Sequence, residues 1–246
     1  MSEFAAGPAG RIERVRALMV ERGYDAIVVR DEANLRWLTG VKGVFDYTFE
    51  FPHAAFITAD QCLFHTDSRY LNSFEENTPA GSPWVYDMDE GTIPGWVAGK
   101  IAANKCRVCA VEDDMQINFY QGIQRGLEDR SVACMLPLMH DDIRKMRAIK
   151  DAEEIELMRH AQSITDAAFQ HMLGFIKPGM TEKQVRNELE NFMFANGADS
   201  LAFGSIVASG PNTANPHAVP SDRVIEKGDF CLLYTSDAAD DMQCVD

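Results

Sequence analysis

Apolar positions recur along this chain with two periods, and the switches between them lay out the elements. Ile12, Val15, Leu18 and Met19 stand three or four residues apart and predict a helix over 11–23 that Gly23 stops. Residues 25–29 then read as a strand and 34–38 as a short helix closed by Gly40. Ala54–Thr58 and Cys62–His65 are apolar runs split by Ala59-Asp60-Gln61, the pattern of a hairpin. Asp67 is the expected N-cap of a helix opening at Asp67-Ser68-Arg69-Tyr70. A strand over 84–86, a helix over Ile93–Ala103 with Pro94 tolerated in its first turn, a strand over 108–111 and a helix over 117–127 follow. Strands alternating with helices predict an α/β layer. Between the first helices and the hairpin, Phe45, Tyr47, Phe49 and Phe51 alternate with Asp46, Thr48 and Glu50. That period of two reads as an extended segment with one apolar face, or as a rim that closes over a ligand or packs on a partner subunit.

The pattern changes over 135–142, where Pro137 breaks it and His140-Asp141-Asp142 is polar. This places a domain boundary there and predicts that residues 1–137 fold on their own. Three adjacent residues cannot easily face one ion, so His140, Asp141 and Asp142 read as a helix start favoured by the helix dipole. The strongest helix covers 151–175. Ile155, Met158, Ala161, Ile164, Ala168 and Met172 form its apolar stripe, with Glu153, Glu154 and Glu156 on the early solvent side. Thr181-Glu182-Lys183-Gln184 is a capping box for the next helix. Val185, Leu189, Phe192 and Met193 form its buried face, Met180 and Phe194 read as core, and Gly197 is the stop. Two helices followed by strands predict an antiparallel sheet with helices on one face. Residues 206–208 are a short strand and Ser209-Gly210-Pro211-Asn212 a turn. His217 then lies in a loop with Pro216 and Pro220 on either side. It reads either as an ordinary loop histidine or as an acid/base or substrate-polarising group on a rigid loop.

Composition narrows the functions open to these elements. The 246 residues allow two modest domains, and a net charge of −15 gives no basic face for nucleic acid. No run of about 18 apolar residues predicts a membrane span. Met1-Ser2-Glu3-Phe4 lacks the basic and apolar regions of a secretory signal, so a cytoplasmic protein is expected. Of the six cysteines, Cys106 and Cys109 are formally C-x-x-C. They lie in a predicted strand, where residues three apart point to opposite faces, and no second pair accompanies them. Reduced, mostly buried thiols are expected. Gly40 and Gly43 make only G-x-x-G, so a dinucleotide fold has no support.

Three segments carry a resemblance: MRAIKDAEEIELMRHA (146–161), KPGMTEKQVRNELE (177–190) and SGPNTANPHAVPSDRVIEKGDF (209–230). In this order they resemble the Xaa-Pro aminopeptidases and Xaa-Pro dipeptidases, the pita-bread metallopeptidases related to creatinase. The resemblance implies a creatinase-like α/β N-terminal domain over 1–137 and the N-terminal part of an α+β pita-bread domain over 138–230. It also implies a peptide substrate with proline at its second position, two divalent metal ions, manganese foremost, and a homodimer. By the same resemblance His217 lines the active site and contacts the substrate. Alternatives on the same fold are a creatinase-like hydrolase or lyase and a metal-free binding protein. A metal-ligating aspartate is implied five positions past Asp229, where this chain has Tyr234, and the further ligands are implied beyond the chain. Residues 231–246, CLLYTSDAADDMQCVD, match in frame the translation of a transposase-type sequencing adapter and are expected to be a non-native tail. Asp237, Asp240, Asp241 and Asp246 are therefore not expected to bind a metal ion.

Overall fold

The computed structural model describes residues 7–41, 52–88 and 91–235. The aromatic alternation at Phe45–Phe51 and the four tail aspartates lie outside them. The chain divides into two compact units, Met1–Ile149 and Lys150–Asp246.

The first unit is built on a five-stranded sheet of order β4-β3-β2-β1-β5. The strands are β1 (Ala26–Val29), β2 (Ala54–Thr58), β3 (Cys62–His65), β4 (Val85–Asp87) and β5 (Cys109–Val111). β1 and β2 pair antiparallel, as do β2 and β3, whereas β5 joins β1 and β4 joins β3 in parallel. Both faces are covered, which is why β1 and β2 read as unbroken apolar runs. Ile27, Val29, Ala55, Ile57 and Phe64 pack with Ile12, Val15 and Met19 of α1 (Gly7–Arg22) and Leu35 and Leu38 of α2 (Glu32–Thr39). The alternate residues Ala26, Val28, Ala54 and Phe56 pack with Trp96, Val97 and Ile101 of α4 (Ile93–Ala103). Phe119, Ile123 and Leu127 of α5 (Ile117–Asp129) join that cluster. Gly40 ends α2 at φ 66, a left-handed conformation that favours glycine, and its N–H donates to Arg36 O.

Two expectations need correction in this unit. α3 runs Leu71–Asn77 and begins later than predicted. The Asp67 carboxylate does accept a backbone N–H, but from Arg69 at 2.9 Å in the preceding turn, and the Arg69 side chain also donates to it. It has no role at the helix start, where Tyr70 gives no side-chain cap. Cys106 and Cys109 do not point to opposite faces. Cys106 precedes β5, in the approach to the strand, and both thiols reach the same apolar cluster.

Residues 135–142 do not part from this unit. Cys109 N–H donates to Met135 O and Val111 N–H to Pro137 O, both at 2.9 Å, so the segment extends the sheet past β5. Met139 and Ile143, each 2% exposed, enter the core beside α1 and α2. α6 (Asp142–Ala148) is tied back through Arg22–Asp142 at 3.2 Å and Arg147 Nη1 to Asn34 Oδ1 at 2.8 Å. His140, Asp141 and Asp142 thus stand at a helix start, as the sequence implies.

Glu112, just after β5, is buried. Its carboxylate accepts the backbone N–H of Arg30 and of Asp31 and, at 2.7 Å, Asn34 Nδ2. Burial pushes its pKa up from 4.5 to about 7, against the lowering effect of those hydrogen bonds. The folded state therefore holds a proton between these values that the unfolded state has lost. Stability falls as pH rises from about 4.5 to about 7, by at most about 3 kcal/mol. Urea unfolding of the chain at pH 5 and pH 8 is expected to show this decline, and Glu112→Gln is expected to flatten it. An equal pH dependence in the variant would remove Glu112 as its source.

The second unit packs two helices on a two-stranded sheet. α7 (Ala152–Phe175) starts in a capping box in which Asp151 accepts from Glu154 N–H and the Glu154 carboxylate accepts from Asp151 N–H. Glu154 is thereby buried and not on the solvent side as expected. α8 (Glu182–Ala195) starts in the predicted Thr181/Gln184 box. Ile164, Ala168 and Met172 of α7 meet Val185, Leu189 and Met193 of α8 and Val207 of β6 (Ile206–Ser209). The early part of the predicted α7 stripe stays out of this core, with Ile155 exposed, and so does Phe194. β7 (Cys231–Tyr234) pairs antiparallel with β6, Val207 opposite Leu233, and Leu233 packs on the core. The first four residues of the expected non-native tail therefore supply the second strand of this sheet.

Candidate active-site loop

β6 delivers the chain at Ser209 into a single 3-10 turn, Gly210–Ala214, and the loop returns through Ser221 and Arg223 toward β7. Gly210 adopts φ +47, and a Cβ there would stand 2.5 Å from Arg223 Nη2 and 2.6 Å from Asp229 Oδ1. Asn215 Oδ1 accepts the backbone N–H of His217 at 3.0 Å, and Ala218 N–H donates to Asn215 O at 3.1 Å. This local turn and the fixed φ of Pro216 and Pro220 place the His217 side chain in solvent. No described residue hydrogen-bonds its ring. An imidazole so placed can take or give a proton, or donate a hydrogen bond, to a bound molecule.

The loop is anchored by a residue that the sequence shows only as part of a capping box. Glu182, in the first turn of α8, is fully buried. Its Oε1 accepts Ser209 N–H at 2.7 Å and Ser209 Oγ at 2.9 Å, and its Oε2 accepts Ser221 N–H at 3.0 Å and Ser221 Oγ at 2.6 Å. Asn212 Nδ2 donates to both oxygens, at 3.0 and 3.2 Å. Burial pushes this carboxyl up, but the donors from Ser221, Ser209 and Asn212 outweigh it and bring the pKa down to about 2. Backbone contacts reinforce the anchor, with Glu182 N–H donating to Arg223 O and Lys183 N–H to Ser221 O. Arg223 Nη1 donates to Ser209 Oγ at 2.6 Å and to Asp229 Oδ2 at 2.7 Å, which holds the Asp229 carboxyl below the usual range.

The other candidates are not residues of this loop. Cys62, Cys106 and Cys109 are buried, and burial raises each thiol, Cys62 and Cys106 to about 11. Cys134 is half-buried and Cys231 exposed, and all five described thiols are free. Tyr234 lies on β7 opposite Ile206, its ring stacked on Phe203 at 5.1 Å. Among the described residues no group of three or more His, Cys, Asp or Glu is placed to hold a metal ion.

Residues 11–149 match the family described as Creatinase/Prolidase N-terminal domain, and residues 156–239 match metallopeptidase family M24. The chain belongs to the creatinase/prolidase family. Its first unit is the creatinase-like domain and its second carries part of the M24 pita-bread fold. An uncharacterized Bacillus subtilis peptidase, YqhT, is 32% identical over 230 residues, 91% of this chain and 60% of that protein. An Xaa-Pro dipeptidase of Pyrococcus furiosus is 41% identical over 93 residues, 38% of this chain and 27% of that protein. Among solved structures, an Xaa-Pro dipeptidase from Bacillus anthracis matches with TM-score 0.78 and 32% identity, over 91% of this chain and 59% of that one. An X-Pro aminopeptidase from Thermotoga maritima matches with TM-score 0.76 and 27% identity, over 91% and 60%. The chain thus spans about 60% of the length of the creatinase/prolidase relatives that it matches along most of its own length. No helix among the described residues is long and apolar enough to cross a membrane.

Proposed function

We propose that the whole protein is a metal-dependent peptidase that cleaves Xaa-Pro bonds at peptide N-termini, as an aminopeptidase or a dipeptidase. We place it in the cytoplasm, as a homodimer. The observation that carries this reading is the anchored loop of a creatinase/prolidase chain presenting an exposed, proline-flanked His217. The scissile bond is a tertiary amide: it has no N–H to donate and its proline φ is fixed, so recognition must work through the carbonyl and the ring. His217 can donate to that carbonyl and hold the negative charge that develops on its oxygen.

The reading includes two divalent ions in the whole protein, manganese foremost, because oxygen ligands favour harder metals. The described residues do not fit such a pair. No cluster of ligands is assembled among the described residues, and Tyr234 presents a phenol where a carboxylate is expected. The 246-residue chain is expected to bind no metal pair and to release no proline from an Xaa-Pro dipeptide, even after Tyr234→Asp. The same chain continued past Phe230 through a whole M24 domain is expected to do both, with activity lost to a chelator and restored by manganese. Metal content by mass spectrometry and proline release decide it. Two ions in the 246-residue chain, or a fully loaded longer chain that leaves Xaa-Pro peptides intact, would overturn the reading.

A further inference from the structure

We propose that Glu182 is the positioning residue of the His217 loop. Its carboxylate clasps the loop at both ends and so sets where the imidazole stands over a bound substrate. The proposal rests on the reading of His217 given above. Ser209 and Ser221 lie on either side of His217, and each gives Glu182 both its backbone N–H and its hydroxyl. Asn212, in the turn between them, bridges the two oxygens. Every contact is a donor, and a carboxylate is the side chain that only accepts. Glutamine keeps the shape but turns one oxygen into an NH2 facing donors. Aspartate keeps the charge but is one methylene shorter.

The arrangement holds position more than it builds core. The hydrophobic cluster of this unit is built from α7, α8, β6 and Ile225; within 210–221 only Ala218 and Pro220 are buried, and the stretch from Gly210 to His217 contributes no buried side chain. His217 is tied to the loop through its backbone N–H, which donates to Asn215 Oδ1. Release of either serine therefore frees the loop path without opening the contacts of Val185, Leu189 and Met193. Arg223, paired with Asp229, and the Cys231 thiol of β7 stand near the carboxylate from the rest of the unit. Arg223 closes the network on the Ser209 hydroxyl, and Gly210 leaves the space that this ion pair fills. With a carboxyl that stays ionised down to about pH 2, the clasp is closed throughout the neutral range.

The test has two arms. In the 246-residue chain, Glu182→Gln is expected to speed amide exchange at 210–221 by about tenfold or more while Val185, Leu189 and Val207 exchange as before. Ser221→Ala, which leaves Glu182 in place, is expected to loosen the same stretch. It serves as the readout if the glutamine variant fails to fold. In the chain continued through the M24 domain, Glu182→Gln is expected to lower kcat up to about 10²-fold, the cost of misplacing a reacting group by roughly an ångström, with KM and metal content near wild type. Glu182→Asp is expected to recover part of that loss. Unchanged exchange at 210–221 in both variants would overturn the clasp. A loosened loop with unchanged kcat, or a kcat loss matched by loss of metal or of core protection, would overturn the positioning role. An active His217→Ala enzyme with a loosened Glu182→Gln loop would instead remove His217 from the chemistry, and with it the positioning role, while leaving the clasp itself standing.

Discussion

His217→Ala, made in the chain continued through a whole M24 domain, is expected to lower kcat by about 10²–10³ while leaving thermal stability, metal content and, within a few fold, KM unchanged. The magnitude is that of one polar contact made in the transition state, about 2.7–4 kcal/mol. The selectivity for kcat follows from the surroundings of the residue. The side chain is exposed, and the residue is tied to the loop through its backbone N–H, which donates to Asn215 Oδ1 and which alanine keeps. A surface substitution of this kind usually changes stability by no more than about 0.5 kcal/mol. Steady-state kinetics on an Xaa-Pro dipeptide, with a melting curve and metal analysis of the same preparation, separate the outcomes. A drop in melting temperature or in bound metal alongside kcat would make His217 a structural residue. Unaltered kinetics would take it out of the site.

The features legible in the sequence are those fixed by residues close in the chain. The Ile93–Ala103 helix has its expected bounds: Pro94 is accommodated in its first turn, as the sequence implies, and the structure adds a Thr92 cap. The hairpin of β2 and β3 was legible because Asp60 and Gln61 turn tightly on the Thr58 hydroxyl. The Thr181/Gln184 box spans only four residues and was found for the same reason. Asp67 shows the limit of local signals. A carboxylate suited to accept a backbone N–H was recognised, but whether that N–H belongs to a turn or a helix depends on Arg69, which also binds it.

The two buried carboxylates were not legible. Glu182 meets partners 27 to 39 residues away and Glu112 meets partners 78 to 82 residues away. Nothing in the composition around Glu182 separates it from an ordinary acidic residue at a helix N-terminus, where the dipole alone favours it. The signal available was the abundance of donors in Ser209, Asn212 and Ser221, a loop with more hydroxyl and amide groups than its own turns use. Those groups identify a missing acceptor but do not say which acid supplies it. His217 was legible as a candidate because its proline flanks are local. Its exposure was not, since it follows from where Glu182 and Asn215 hold the loop.

The same contrast governs where the first unit ends. A fragment of residues 1–137 is expected to lack a cooperative thermal transition, whereas 1–149 is expected to melt as one unit. Pro137 breaks the local pattern, but the chain beyond it still belongs to this core. Met139 and Ile143 are each 2% exposed and sit among the α1 and α2 side chains, and Met139 N–H donates to Val111 O at 2.9 Å. Burying a side chain of this size is worth about 1.5–3 kcal/mol, and cutting one from a packed core costs about 2–5 kcal/mol. Loss of both, with the Arg22–Asp142 and Arg147–Asn34 contacts, removes about as much as the 5–15 kcal/mol by which a domain is normally stable. The shorter fragment would also expose the apolar surface of α1 and α2 that these residues cover, which favours association. Circular dichroism melts and light scattering on the two fragments distinguish the cases. Met139→Ala and Ile143→Ala in the longer fragment, each expected to cost about 2–5 kcal/mol, show whether core contact or chain length is responsible. Equal melting temperatures for the two fragments would show that residues 138–149 add nothing to this core and that the break at Pro137 is the true end of the unit.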